Sequence, residues 1–537
     1  MSRIFKNIIP RKQYKSFLLS KKKYKLIGVI RIVTEKAEQK ILRVGVIGLG
    51  DIWQSHAQAY PDNLNAVVVG FYDRIRGRAE TWKDKMMRYM HLVRKAAEEK
   101  LDPEDEIHLQ RCTIFDKEAK VYDSIQDMLN HVDVIDICAP NHVHASYAIW
   151  ALKKGKSVMS EKPAGRCSYE TEHLCRVAAS STGFYQLNEN FLWYSSLRKL
   201  REIVTSKKIG KINKINIRLG HGHPSWGWQN HFLNPSLSGG GVLSDMGVHA
   251  IGFGYGILGP NYKVQSVQTI RMNAGTTKER TLHQFDGANE YYLSSFMVED
   301  EAKIKVIFRP DPINNSLIEK TVTDSNAFSE ADLANESKSQ TNEITNPEGE
   351  MQRTELEAKA KTIANGEKKE LKKIEELEEI SVIIEVSWAK SYRDITIHGS
   401  LGTCGLDRNS KKQEIVAIYY ENGQQEEISI SNQARDSHQL EIIDFLNRIQ
   451  AKRQSLLEPT WAHRFQEIIS CAYLSHLRGF EMNSKKGMIV TLDDLRKYYR
   501  EIENSGVPKE MIIEEIVYDF MRPFTSSYYS VEEHSPQ

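Results

Sequence analysis

The sequence predicts an α/β protein: first a doubly wound parallel sheet, then a domain of amphipathic strands in an antiparallel or mixed sheet. Two observations carry this. From Ile41 to about residue 190 short β-branched runs alternate with helical segments, the pattern of repeated βαβ units. Beyond residue 190 the strands alternate apolar with polar side chains, as in KINKINIRLG at 211–220, which suits a sheet with one face in water.

ILRVGVIGLG opens the fold as a strand ending in a glycine turn, and DIWQSHAQAY continues it at helical spacing. NAVVVGFYD, 65–73, is the second strand, one crossover helix away. Residues 79–107 read as a long helix, with Trp82, Met86, Met90 and Val93 on one packing stripe. CTIFD, 112–116, reads as a short third strand. Asp123 and Gln126 have the form of an N-cap and its capping-box partner before VDVIDICAP, 132–140. A helix from about His142 to Lys154 stops at Gly155, and KSVMSEKP, 156–163, and GFYQLN, 183–188, complete six strands. Further on, ISVIIEVSW (380–388) and RDITIHGS (393–400) are strands, and HQLEIIDFLNRIQ (438–450) is an amphipathic helix before a helical region ending near Phe480.

A chain of 537 residues exceeds one ordinary core, so two or more domains are expected. We divide it into a basic arm at 1–40, a first domain at 41–190 with a helical insertion at about 79–120, a second at 191–500, and a tail at 501–537. The arm holds twelve Lys and Arg against Glu35 and Glu38; we read it as a solvated tail ahead of a targeting peptide or a polyanion contact, and expect no nucleic-acid partner. Within the second domain, 312–375 is charged and almost without aromatics; such a stretch cannot offset its ordering entropy and reads as a disordered insertion. No run of about 18 apolar residues predicts a membrane span. Six cysteines without a C-x-x-C pair suggest reduced thiols of a cytoplasmic protein, with neither disulfide framework nor metal site.

Gly48-Leu49-Gly50 stands where a strand hands over to a helix, the setting in which a dinucleotide pyrophosphate meets a helix N-terminus. That is the fingerprint of a Rossmann domain. Its third glycine position is Trp53, a departure that bears on how closely helix and strand pack. Asp73, at the end of the second strand, is placed for the adenosine ribose and favours NAD, whereas the adjoining Arg74 would accommodate a 2′-phosphate, so NAD and NADP both stay open.

Glu161-Lys162-Pro163 ends the fifth strand, where an open α/β sheet binds ligands. SGGGVLSDMGVHA places Asp245 and His249 one helical turn apart. A helix-surface pair or two ligands of a metal would show the same spacing, but no third ligand stands at a suitable interval. With the glycine turn and APNHVHA, 139–145, these motifs resemble the Gfo/Idh/MocA oxidoreductases over about Leu42 to Leu492. The resemblance implies a Rossmann domain followed by an α/β domain with a large, mostly antiparallel sheet that often forms a dimer or tetramer interface. It implies a catalytic set of Lys162, Asp245 and His249: His249 as general base, Asp245 orienting substrate and imidazole, Lys162 polarising the reacting oxygen. It assigns cofactor contacts to Gly48, Gly50, Asp51, Ile52, Asp73, Arg74, Pro140, Asn141, His144, Glu161 and Lys162.

The implied reaction is hydride transfer between NAD(P) and a sugar, cyclitol or related polyol. GHGHPSWGWQNHF, 220–232, offers aromatic faces and polar donors for such a substrate, with Trp226, Trp228 and His231 as candidates. Asn190 is a fourth, in a segment QLNENFLWY where many relatives carry arginine. His56 reads as structural. Two alternatives stay open: a glycoside-cleaving enzyme that oxidises transiently and retains its NAD, and a non-catalytic dinucleotide-binding regulator.

Overall fold

The computed structural model describes residues 40–61, 63–98, 103–221, 230–274, 298–311, 379–408, 414–430 and 436–532. The basic arm, the 312–375 insertion, Trp226 and Trp228 lie outside the described residues.

The first sheet comprises β1 (Leu42–Ile47), β2 (Ala66–Tyr72), β3 (Lys120–Val121), β4 (Val134–Ile137), β5 (Ser157–Glu161) and β6 (Tyr185–Asn188). They lie in the order β3-β2-β1-β4-β5-β6, all parallel. The order reverses direction beside β1, and the carboxyl ends of β1 and β4 open a crevice there. Parallel strands are covered on both faces, which is why β4, β5 and β6 are buried at every position.

Three local readings need correction. The 79–107 segment is two helices, Arg76–Glu98 and Pro103–Glu118. CTIFD belongs to the second of them, because Cys112 and Phe115 are buried three residues apart, a helical interval; the third strand is the short β3 beyond it. Arg111 on the same helix is buried and donates to the carbonyls of Tyr60 (2.6 Å), Ala66 (2.9 Å) and Pro61 (3.3 Å), fastening the insertion to the first domain. The N-cap expected at Asp123 is Ser124, whose hydroxyl accepts from the Asp127 amide, while Asp123 pairs with Arg76.

The second sheet adds β7 (Ile212–Gly220), β8 (Tyr262–Asn273), β9 (Glu301–Pro310), β10 (Ile380–Ser387), β11 (Tyr392–Gly399), β12 (Gly402–Arg408), β13 (Glu414–Tyr420) and β14 (Gln425–Ser429). Its order is β14-β13-β12-β11-β7-β10-β9-β8, antiparallel except between β7 and β10. Ile215, Ile217, Leu219, Val382, Ile384 and Val386 form its buried face, under the helices Val248–Leu258 and Pro459–Glu481. The opposite face is polar, with Arg218–Asp394 (3.1 Å) and Lys303–Glu385 (3.0 Å) pairs around a cavity of about 560 Å³.

The expected tail at 501–537 is largely structured. Helix Leu492–Glu503 runs into it, and helix Ile512–Glu532 buries Ile512, Ile516, Phe520 and Phe524, a period of four, against the helix Pro459–Glu481. Glu514 on this last helix accepts from Arg166 Nη1 at 2.9 Å, tying it to the segment after Glu161-Lys162-Pro163. Among the described residues no helix is long and apolar enough to cross a membrane.

Candidate active site

The crevice begins at the glycine turn. Gly48 has φ +88°, and a Cβ there would lie 2.7 Å from the backbone of Cys138 and Ala139. Only glycine lets the ends of β1 and β4 approach this closely. Gly50, by contrast, has open space where a Cβ would point. Asp73 is fixed by two amides, Leu49 at 2.8 Å on one carboxylate oxygen and Ile75 at 2.7 Å on the other, while Arg74 beside it is exposed. An open backbone turn with an acid held beside it fits a dinucleotide's pyrophosphate and ribose. Asp51, the first helical residue, is exposed at this turn, whereas Ile52 packs against the core.

Trp53 shows how the missing third glycine is accommodated. Its ring is fully buried, with Tyr60 at 5.7 Å and Trp82 at 5.9 Å between centroids, and Trp82 Nε1 donates to the Leu49 carbonyl at 3.1 Å. The inserted helix Arg76–Glu98 therefore builds a wall for the tryptophan and braces the glycine turn with the same side chain.

The opposite wall is the end of β5. Glu161 Oε1 is 3.0 Å from His56 Nε2, His56 Nδ1 is 3.0 Å from Asp136 Oδ1, and the Tyr60 hydroxyl donates to Asp136 at 2.7 Å. Burial would raise the Glu161 pKa, but the hydrogen bond and charge of His56 outweigh it and hold the carboxyl below the usual range. Glu161 thus faces down onto His56, anchoring the strand end that carries Lys162.

Lys162 Nζ donates to Asp245 Oδ1 at 2.8 Å and to the Asp245 carbonyl at 3.1 Å. Asp245 Oδ2 accepts from the buried Trp388 indole at 3.0 Å. Burial opposes both charges, yet the pair sustains itself: Asp245 and Glu161 hold Lys162 above the usual lysine value, and Lys162 holds Asp245 below the usual carboxylate value. Leu243–Gly247 winds as a π-helical turn carrying Asp245 and runs into helix Val248–Leu258, which carries His249. His249 Nδ1 lies 2.6 Å from Glu189 Oε1. His221, at the end of β7, is lowered by burial and senses Asp245, His249 and Lys162, so the trio shares one neighbourhood.

The glycine run is pinned from below by Glu299, which accepts from the amides of Gly241 (3.0 Å) and Leu243 (2.9 Å) and from Tyr473 Oη (2.7 Å). A Cβ on Gly241 would stand 1.9 Å from the Glu299 carbonyl oxygen. Burial pushes the Glu299 carboxyl up to about 7 despite these donors. A carboxyl raised on folding contributes most below its unfolded pKa and loses that contribution as pH rises through its folded one, here from about 4.5 to about 7. Relative to wild type, Glu299→Gln is therefore expected to gain about 2–3 kcal/mol between pH 5 and pH 8. Urea unfolding of both proteins at each pH measures this; an unchanged gap excludes titration of Glu299 in that window.

Other expected contacts are engaged differently. His144 presents Nδ1 to the Pro163 carbonyl (2.7 Å) and Nε2 to the Ala139 carbonyl (2.6 Å), and burial lowers its pKa despite both. Its ring lies between the loops after β4 and β5. Asn141 Nδ2 donates to the Ser238 carbonyl (2.9 Å), and Asn190 Nδ2 to Ser437 Oγ (2.9 Å). Pro140 is exposed at the head of the Asn141–Val143 turn. His231 is partly buried and senses Asp245, which sets it at the site's edge. Asp245 pairs with Lys162, and Glu189 lies against the imidazole. Glu189, Trp388 and Glu299 were not among the expected site residues.

A doubly wound sheet with an open glycine turn and a lysine–aspartate pair beside a histidine defines a dinucleotide-binding oxidoreductase architecture. Residues 42–189 match the oxidoreductase family with an NAD-binding Rossmann fold, and residues 197–306 match the GFO/IDH/MocA C-terminal domain. The chain thus carries the N-terminal NAD-binding domain and the C-terminal domain of the Gfo/Idh/MocA family. It is 32% identical over 187 residues to D-glucoside 3-dehydrogenase of Escherichia coli, covering 34% of this chain and 51% of that protein. Glucose-6-phosphate 3-dehydrogenase of Bacillus subtilis is 22% identical over 255 residues, 47% of this chain and 63% of that protein. The match thus spans between half and two thirds of these relatives. The fold is shared with an oxidoreductase from Agrobacterium radiobacter solved with NAD+, L-tartaric acid and magnesium: TM-score 0.54, 13% identity, covering 84% of this chain and 99% of that one.

Proposed function

We propose that the protein oxidises a secondary hydroxyl of a sugar or cyclitol, or reduces the corresponding ketone, with NAD as the preferred cofactor. The observation that carries this is the Lys162–Asp245 ion pair, locked by Trp388 and set beside His249 at the mouth of the dinucleotide crevice. Both relatives named above are dehydrogenases of glucose derivatives, which supports the substrate class. A nicotinamide cofactor supplies the hydride acceptor or donor when bound. Gly48, Gly50 and Asp73 would hold its adenosine and pyrophosphate end; Asp73 would favour the free ribose of NAD, and exposed Arg74 would give NADP a weaker alternative.

In this reading His249 removes the hydroxyl proton through Nε2 as the carbon is oxidised. The Lys162 ammonium, held charged by Asp245, stabilises the negative charge that develops on the oxygen. Trp388 keeps the Asp245 carboxylate from turning toward solvent. The six cysteines are free thiols, which suits a reducing cytoplasm, and the polar face of the second sheet is the surface we assign to a second copy of the chain.

The test is to follow reduced-nicotinamide absorbance with purified protein, supplying NAD or NADP with a panel of sugars, glycosides and inositols. We expect net reduction of NAD by at least one of them, with a lower kcat/KM for NADP. Cleavage of a glycoside without net reduction would instead show a retained cofactor cycling within the site, and nucleotide binding without turnover of any member would exclude the enzyme.

A further inference from the structure

We propose that Glu189 is the positioning residue of the proton-transfer step, forming with His249 a carboxylate–imidazole dyad that leaves Nε2 as the basic nitrogen. This rests on the reading of His249 as the base.

Two features converge on that ring. Glu189 Oε1 lies 2.6 Å from His249 Nδ1, and a carboxylate can only accept, so Nδ1 carries the hydrogen and Nε2 keeps its lone pair for the substrate hydroxyl. Phe191 stacks on the imidazole, centroids 4.0 Å apart and planes 11° apart, which prevents rotation out of plane. Both residues come from one short segment, Glu189 capping the Asn190–Trp193 turn through the Phe191 amide at 3.2 Å.

The helix opposite is shaped to admit the carboxylate. A Cβ at Gly252 would lie 3.2 Å from Glu189 Cγ, so the position three residues after His249 has little room for a side chain. Glu189 is fully buried. A buried carboxylate with a histidine as its close partner stabilises the imidazolium that forms when the hydroxyl proton moves to Nε2. The proton stays on the imidazole: O–H breaks, Nε2–H forms, and the Nδ1–H···Oε1 hydrogen bond persists with positive charge now beside the carboxylate. A nicotinamide cofactor, when bound, would supply the two-electron acceptor for the hydride that the carbon gives up. No further reactant is needed.

The departure at 188–190 thereby gains a role. Where many relatives are expected to carry arginine, this chain brings an acid to the catalytic histidine, while the flanking Asn188 and Asn190 are engaged within the protein.

Glu189→Gln and Glu189→Asp test the proposal alongside His249→Ala. In Glu189→Gln we expect kcat to fall on the order of 10²-fold or more, with KM and nucleotide affinity within about threefold. Glu189→Asp should recover part of kcat, because charge and acceptor are kept. Histidine 15N NMR on the protein without substrate or nucleotide supplies a readout independent of turnover: His249 should be protonated at Nδ1 in wild type and lose that preference in Glu189→Gln. Unchanged kcat and tautomer in Glu189→Gln overturn the dyad. Equal loss of kcat, nucleotide binding and thermal stability in both Glu189 variants also overturns it, assigning the residue to folding alone. Retained turnover in His249→Ala rejects the base assignment itself, a result separable from failure of the dyad.

Discussion

Lys162→Ala is expected to lose turnover on the order of 10³-fold while retaining its dinucleotide. Among the described residues the ammonium is the cation hydrogen-bonded to Asp245, and a donor aimed at a developing oxyanion in a low-dielectric site is commonly worth 10²–10³ in rate. The same substitution leaves the buried Asp245 carboxylate with the Trp388 indole as its side-chain donor among the described residues. Stability should therefore fall by about 3 kcal/mol, since removing one partner of a buried pair strands the other. Lys162→Met, which retains most of the side-chain volume, separates the causes: both variants should lose turnover alike if charge is what matters. Initial rates, nucleotide titration and thermal melts on one preparation decide it. Normal turnover in either variant would refute the mechanism.

Gly48→Ala should act earlier, at cofactor binding. The new Cβ must take a positive φ and also clear the Cys138–Ala139 backbone from 2.7 Å, so β1 and β4 have to part at their carboxyl ends. Backbone atoms cannot swing aside as a flexible side chain does. We expect a stability loss of about 2–4 kcal/mol and a loss of nucleotide affinity exceeding about 10²-fold. Gly50→Ala is the control: its Cβ meets no protein atom, so stability should hold while affinity falls if a pyrophosphate passes over that turn. Differential scanning calorimetry and nucleotide titration check both, and a Gly48→Ala protein that binds normally would exclude the glycine turn as the cofactor seat.

The sequence exposed those parts of the fold whose cause is local. The β1 turn, the Glu161-Lys162-Pro163 strand end and the Asp245/His249 helix were readable because each motif sits within a few residues of the element that positions it. Glu189, Trp388 and Glu299 were missed because each acts on a residue 56 or more positions away, and the chain order holds no mark of that meeting. Glu189 left a trace only as a departure from an expected arginine. CTIFD failed for a different reason: five residues with Cys112 and Phe115 inside them fit a strand and a helix equally well. The last helix was legible in principle, since Ile512, Ile516, Phe520 and Phe524 recur every four residues. His144, Asn141 and Asn190 also meet neighbouring carbonyls and a hydroxyl, contacts that the chain order does not announce, because a short polar side chain near a crevice finds partners from loops distant in sequence.

The clasp between Arg166 and Glu514 gives the catalytic loop a history as well as a shape. The two residues are 348 positions apart, and at translation speeds of roughly 5–20 residues per second the acid leaves the ribosome about 20–70 s after the arginine. During that interval the nucleotide-binding half can collapse, but the loop next to Lys162 lacks one of the two acids, Glu170 and Glu514, that hold the Arg166 guanidinium. Assembly of this corner is thus timed by synthesis: the helix Ile512–Glu532 reaches back to a loop laid down 348 residues earlier.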